Sequence, residues 1–141
     1  METAIRLPQA WAGWEALVGF REGREKILYL HGPAGSGKTH LAVRLAWEEA
    51  QKGKRTLFLL ASSLHREEVP KGVEILVLDS LEEAWPEAKT GAQLHELVSR
   101  AARGEMGLIL TALLPPAKAL ARLGAEGLAR RVGPGTPMPG G

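Results

Sequence analysis

The chain has 141 residues, room for one domain at the usual ~100 to 200 residues per domain. Hydrophobic residues at 45% and charged residues at 24% exclude a disordered tract, and the absence of cysteine excludes disulfides, thiolate zinc, iron–sulfur clusters and a Cys nucleophile. The formal charge of +2 is too small to argue for nucleic acid; from Arg100 onward six basic residues face two acids, which a solvated helix surface explains as well as an anionic partner does. Aromatics at 5% leave the core to Leu, Val, Ile and Ala. The longest apolar runs, Ile75 to Leu78 and Leu108 to Leu114, fall well short of the roughly 18 residues that span a bilayer, and METAIRLPQAW lacks a signal-peptide hydrophobic stretch. No membrane role is expected, and the default location is the cytoplasm.

Trp11, Trp14, Leu17 and Val18 recur at helical spacing and predict a helix over 9–22, with Pro8 suited to a first turn and Gly23 as a stop. All four tryptophans, Trp11, Trp14, Trp47 and Trp85, read as packing residues. ILYL, residues 27–30, predicts a short strand that runs into HGPAGSGKT, followed by a helix over 38–51 that Gly53 ends. TLFLL (56–60) and EILVLD (74–79) predict two buried strands, continuous rather than alternating, as in a parallel sheet covered on both faces. A helix is expected over 90–103, with Thr90 and Gln93 as a capping box and Leu94, Leu97, Val98 and Ala101 as its apolar face. GLILT (107–111) predicts a fourth strand, and Pro115 and Pro116 open a short helix to about Leu123. This order of elements specifies an α/β fold with a parallel sheet. The last stretch, GPGTPMPGG, offers few ladder donors and few side chains to bury, so it reads as an extended or disordered tail over 133–141 behind a domain over 1–132.

Residues 32–39, GPAGSGKT, match G-x-x-x-x-G-K-[ST] in full and sit between an apolar strand and an amphipathic helix. Gly32, Pro33, Ala34, Gly35, Ser36 and Gly37 supply a backbone that wraps phosphate oxygens with N–H groups, aided by the positive end of the helix behind it. Lys38 adds a point charge toward the β- and γ-phosphates, the Thr39 hydroxyl is suited to ligate Mg²⁺, and His40 follows in the first helical turn. Asp79, after four apolar residues, has the form of the Walker B acid that holds the metal through water. Many ATPases carry a second acid next; here that position is Ser80, with Glu82 and Glu83 nearby. The spacing therefore supports binding of a nucleotide's phosphates with Mg²⁺ more strongly than hydrolysis, and leaves weak turnover open.

LYLHGPAGSGKTHLAVRLA, LVLDSLEEA, QLHELVSRAARGEMGLILTALLPP and LARRV together resemble the ATPase domain of the DnaA replication-initiator family, most closely the short DnaA-related regulators of the Hda type. The resemblance covers about residues 14 to 132. It implies a P-loop NTPase three-layer sandwich, the base subdomain of an AAA+ protein without its lid, with four parallel strands and a fifth left open. It further implies that Gly32 to Thr39 bind ATP or ADP with magnesium, that Asp79 is the Walker B acid, and that Thr111 falls at the sensor 1 position that monitors the γ-phosphate. Arg131 matches the arginine finger that acts on nucleotide bound by a neighbour; read from residues alone, Arg130 and Arg131 are a basic pair at a helix end. The partner implied is a DnaA-family AAA+ protein in replication initiation or its regulation, with the sliding clamp or replicative helicase as further candidates and self-association open. Ile5 to Pro8 is a partial likeness to a clamp-docking peptide or a plain lead-in segment. Only residues 61–73 separate the second and third strands, so the helices that grip single-stranded DNA in full initiators have little room, and sequence-specific DNA binding is not expected. Alternatives are an adaptor that keeps the fold without turnover and a helicase loader of the DnaC type. His31, His40, His65 and His95 share no metal-ligand spacing, and Ser62, Ser63 and His65 form no hydrolase triad.

Overall fold

Each apolar run that ends in a turn signal forms a strand. The computed structural model describes residue 11 and residues 13–139. The strands are β1 (Ile27–His31), β2 (Thr56–Leu60), β3 (Ile75–Asp79), β4 (Gly107–Ala112) and β5 (Thr136–Pro137), and all pair in parallel in the order β2-β3-β4-β1-β5. The helices are α1 (Trp14–Arg21), α2 (Lys38–Gln51), α3 (Ala88–Ala102), α4 (Pro116–Arg122) and α5 (Ala129–Val132). Side chains alternate across the sheet. Ile75 and Val77 therefore join Leu17, Leu41 and Leu45 in a core under α1 and α2, while Leu76 and Leu78 join Leu94, Leu97 and Leu120 under α3 and α4. The result is a three-layer α/β sandwich with a five-stranded parallel sheet, the architecture of a P-loop NTPase base domain.

Three local expectations change. β2 is an edge strand and is not buried throughout: Leu57 and Leu59 pack toward α3, but Phe58 is 44% exposed and Leu60 is 47% exposed, because α2 lies over the sheet interior and leaves the outer strand bare on that side. The capping box at Thr90 does not form. Helix α3 starts two residues earlier with Glu87 as N-cap and no side-chain cap; Thr90 lies fully buried on its inner face, and the Gln93 amide donates instead to the Glu67 carbonyl. The Gly/Pro segment read as a tail is extended, but its residues 136–137 pair with β1, and the Met138 N–H donates to the His31 carbonyl at 2.8 Å. Proline is tolerated there because an edge strand need not donate on its outer side.

The helix expected over 9–22 is seen as Trp14–Arg21; its expected start, Pro8 and the Ile5 to Pro8 segment lie outside the described residues. Trp11 is buried, whereas Trp47 and Trp85 are exposed, so two of the four tryptophans are not core residues. Trp85 instead stacks on His65 with ring centroids 4.9 Å apart. No described helix is long and apolar enough to cross a membrane.

Candidate functional site

The carboxyl ends of β1, β3 and β4 meet at one edge of the sheet, the edge where α/β folds place their ligands. Residues 32–37 leave β1 there. The Gly32 N–H is tied to the Ala112 carbonyl at the end of β4, and the loop closes on itself through Ser36 N–H to the Pro33 carbonyl at 3.1 Å. Gly35 and Gly37 take φ of +82° and +90°, a left-handed conformation that side chains resist. Gly37 is the N-cap of α2 and offers no side-chain cap, and the first turn of α2 carries no acidic residue. Its leading N–H groups and the positive end of its dipole are thus left for an anion.

Lys38 is only 7% exposed, yet the one partner of its Nζ among the described residues is the Pro33 carbonyl at 3.2 Å, across the loop. Ser36 Oγ is buried within the same loop without a hydrogen-bond partner among the described residues. An unpaired buried hydroxyl and a cation held by a carbonyl alone are both costly unless an anion completes them. The loop therefore fits a polyphosphate.

Asp79 ends β3, and three hydroxyls converge on its carboxylate. Thr39 donates to Oδ1 at 2.9 Å, Thr111 donates to Oδ1 at 2.7 Å, and Ser80 donates to Oδ2 at 3.1 Å. Thr111 also accepts the Ser80 N–H at 2.8 Å. Ser80 is the non-glycine residue with positive φ among those described, at +64°; this strained turn is held by the Ser80 hydroxyl on Asp79 and the Ser80 N–H on Thr111. Thr39 is exposed and Asp79 is buried, so the Thr39 oxygen and the carboxylate behind it are the donor set a hard cation accepts when phosphates and water complete its shell. Among the described residues no cluster of three His, Asp or Glu could hold a metal without such help.

The remaining sequence-derived candidates fall as follows. His40 is exposed in the first turn of α2. Burial lowers the pKa of His31, at the end of β1. Glu82 accepts the Leu113 N–H on its Oε1 at 3.0 Å. Glu83 is exposed. Nearby, the buried Tyr29 hydroxyl donates to the Leu114 carbonyl at 2.7 Å; burial, then the Glu82 charge, pushes its pKa up. Arg131 is not brought to the phosphate loop's hydroxyl cluster; it is exposed on α5 and donates to Ser99 Oγ on α3 at 3.0 Å.

Ser80 was legible as the position after Asp79 but not as its hydrogen-bond partner.

The fold and the loop define the class, a P-loop α/β domain with the fold seen in AAA+ base domains, and the solved structures it resembles include DnaA and DnaC domains. The chain superposes on the replication initiator DnaA bound to AMPPCP and single-stranded DNA with TM-score 0.73 at 19% identity, over 94% of this chain and 47% of that one. It superposes on the DnaC helicase loader with TM-score 0.69 at 19% identity, over 95% of this chain and 92% of that one. A stretch of 45 residues, 32% of the chain, is 40% identical to the DNA repair and recombination protein RadB of Methanothermobacter thermautotrophicus, covering 19% of that protein. The chain thus spans under a fifth of RadB and about half of the DnaA chain. No family profile matches the sequence.

Proposed function

We propose that the chain is a Mg²⁺-dependent ATP/ADP-binding AAA+ module that acts in replication initiation or its regulation, in the manner of the Hda-type DnaA relatives, by associating with a DnaA-family partner according to the nucleotide it holds. The observation that carries the nucleotide reading is the uncapped start of α2 behind a loop whose Lys38 and Ser36 lack a charged or hydroxyl partner, next to Thr39 on Asp79. Gly32 to Thr39 hold the phosphates, and Thr39 with Asp79 would hold Mg²⁺. When bound there, the ion would supply positive charge that neutralises the phosphates. The replication role rests on the DnaA-like residues of the sequence and on the DnaA and DnaC neighbours of the fold.

Turnover is slow in this reading. Ser80 stands where a water-orienting acid would, and Glu82 is committed to a backbone N–H. Arg131 acts as an arginine finger on a neighbour's nucleotide, a role that its exposure on α5 supports. The chain works in the cytoplasm with its partner as one domain over 1–132 and a terminal segment over 133–141.

Calorimetric titration with Mg-ADP and Mg-ATP tests the first step. Magnesium-dependent binding that Lys38→Ala removes is expected; no binding by the wild type refutes it. Phosphate release above the Lys38→Ala background with partner present would refute the adaptor reading, in which turnover is lost. The helicase-loader reading is favoured by one observation, the match over 92% of the DnaC chain. Co-purification with replicative helicase, and not with a DnaA-family protein, would select it.

A further inference from the structure

We infer that Met138 is a positioning residue for the nucleotide, setting the shape of the phosphate loop from beneath; the inference rests on the nucleotide reading above. In GPGTPMPGG it is flanked by Pro137 and Pro139, which restrict the chain before it folds. The pairs Leu30 with Thr136 and His31 with Pro137, followed by the Met138 N–H on the His31 carbonyl, hold Met138 level with the point where β1 becomes the loop. Its side chain is buried, 7% exposed. A Cβ built on Gly32 would lie 3.3 Å from Met138 Cβ, and one built on Gly37 would lie 3.9 Å from Met138 Cε. The thioether chain thus runs from the first glycine of the loop to the last.

The strap is pinned from outside as well. Trp11 Nε1 donates to the Pro137 carbonyl at 2.7 Å, and the Thr136 methyl is packed so closely on Gly13 that no side chain fits there. Methionine adapts to an irregular gap that branched residues fill poorly. Removing it leaves the loop free to sag by a fraction of an ångström, and misplacements of that order at a binding constellation are strongly felt. Because Gly32 and Gly37 bound the part of the loop that wraps the phosphates common to ADP and ATP, both nucleotides are affected alike.

The test compares wild type, Met138→Ala and Met138→Leu for Mg-ADP and Mg-ATP affinity well below the melting temperature of each, with far-ultraviolet circular dichroism as the fold control. About 10-fold weaker binding of both nucleotides by Met138→Ala, with Met138→Leu within about 2-fold of wild type, is expected. Wild-type binding with an unchanged Met138→Ala, or with a lowered melting temperature only, overturns the inference and leaves the nucleotide reading standing. A wild type that binds neither nucleotide overturns both. Should Met138→Ala fail to fold, methionine methyl resonances of the wild type decide: on addition of Mg-ADP the Met138 methyl shifts while that of Met106, at the opposite end of β4, does not. A Met138 methyl that stays put overturns the inference.

Discussion

Thr111→Val tests whether the buried threonine acts through Asp79 or on a phosphate. Thr111 is completely buried, and both faces of its hydroxyl are spent, the proton on Asp79 Oδ1 at 2.7 Å and a lone pair on the Ser80 N–H at 2.8 Å. Valine keeps the shape and removes both bonds. The bond to a carboxylate contributes about 1.5 to 3 kcal/mol and the stranded Ser80 N–H costs about 1 to 3 kcal/mol. The added methyl returns roughly 0.8 kcal/mol. A net loss of about 2 to 5 kcal/mol follows, with Thr111→Ser close to wild type. At roughly 2.1 cal/mol/K of unfolding entropy per residue over the whole chain, that lowers Tm by roughly 7 to 17 °C. Thermal denaturation without nucleotide measures it. If Thr111→Val melts with the wild type and loses only the ability to tell ATP from ADP, the hydroxyl serves the γ-phosphate directly and the hydrogen-bond reasoning is refuted.

Two further outcomes follow from charges placed away from the loop. Arg100 is buried on α3 and donates to the Val69 and Pro70 carbonyls at 3.1 and 3.2 Å, so Arg100→Met, which keeps the apolar stem, should cost about 1 to 3 kcal/mol. Hydrogen exchange should accelerate in residues 64–73 ahead of the rest; uniform acceleration would contradict the tether. Glu49 is nearly inaccessible and is bonded by Lys52 at 2.8 Å and Lys54 at 2.9 Å. Burial pushes its pKa up, but the two lysines outweigh burial and hold the carboxyl below its ordinary value of 4.5. The folded state therefore binds fewer protons than the unfolded one in that range, and the stabilisation is present above the ordinary value and lost as pH falls below it. The Tm difference between wild type and Glu49→Gln should shrink between about pH 6 and about pH 3, and a constant difference would refute the assignment.

The parts legible in the sequence were those that local chemistry dictates. Gly35 and Gly37 need positive φ, and the string around them says so; ILYL, EILVLD and GLILT are apolar throughout and become the three central strands. TLFLL has the same composition, yet whether such a run is covered on both faces depends on its neighbours, and Phe58 and Leu60 found none on one side. Thr90 failed as a cap because tertiary burial of the α3 face outweighed a hydroxyl's local preference. The bond from Thr111 to Asp79 could not be read before β3 and β4 were known to be adjacent, since Thr111 is remote in sequence and meets Asp79 through that pairing. A Gly/Pro stretch carries no hydrophobic pattern, so β5 was invisible although Met138 marked the spot.

The strand order also constrains how the chain reaches this state. β1 is central, but both of its neighbours, β4 and β5, come late: Ile27 pairs with Leu108 and Leu30 with Thr136. During synthesis the phosphate loop emerges early and has no sheet to spring from until most of the polypeptide has followed. β2 and β3, which pair with each other in register from Thr56 with Ile75 to Leu60 with Asp79, can associate sooner. Closing the remaining contacts demands long loops and hence slow, cooperative assembly. The nucleotide cradle is consequently among the last pieces to mature, and a nascent or clipped chain ending before β4 would hold every loop residue without the means to shape them.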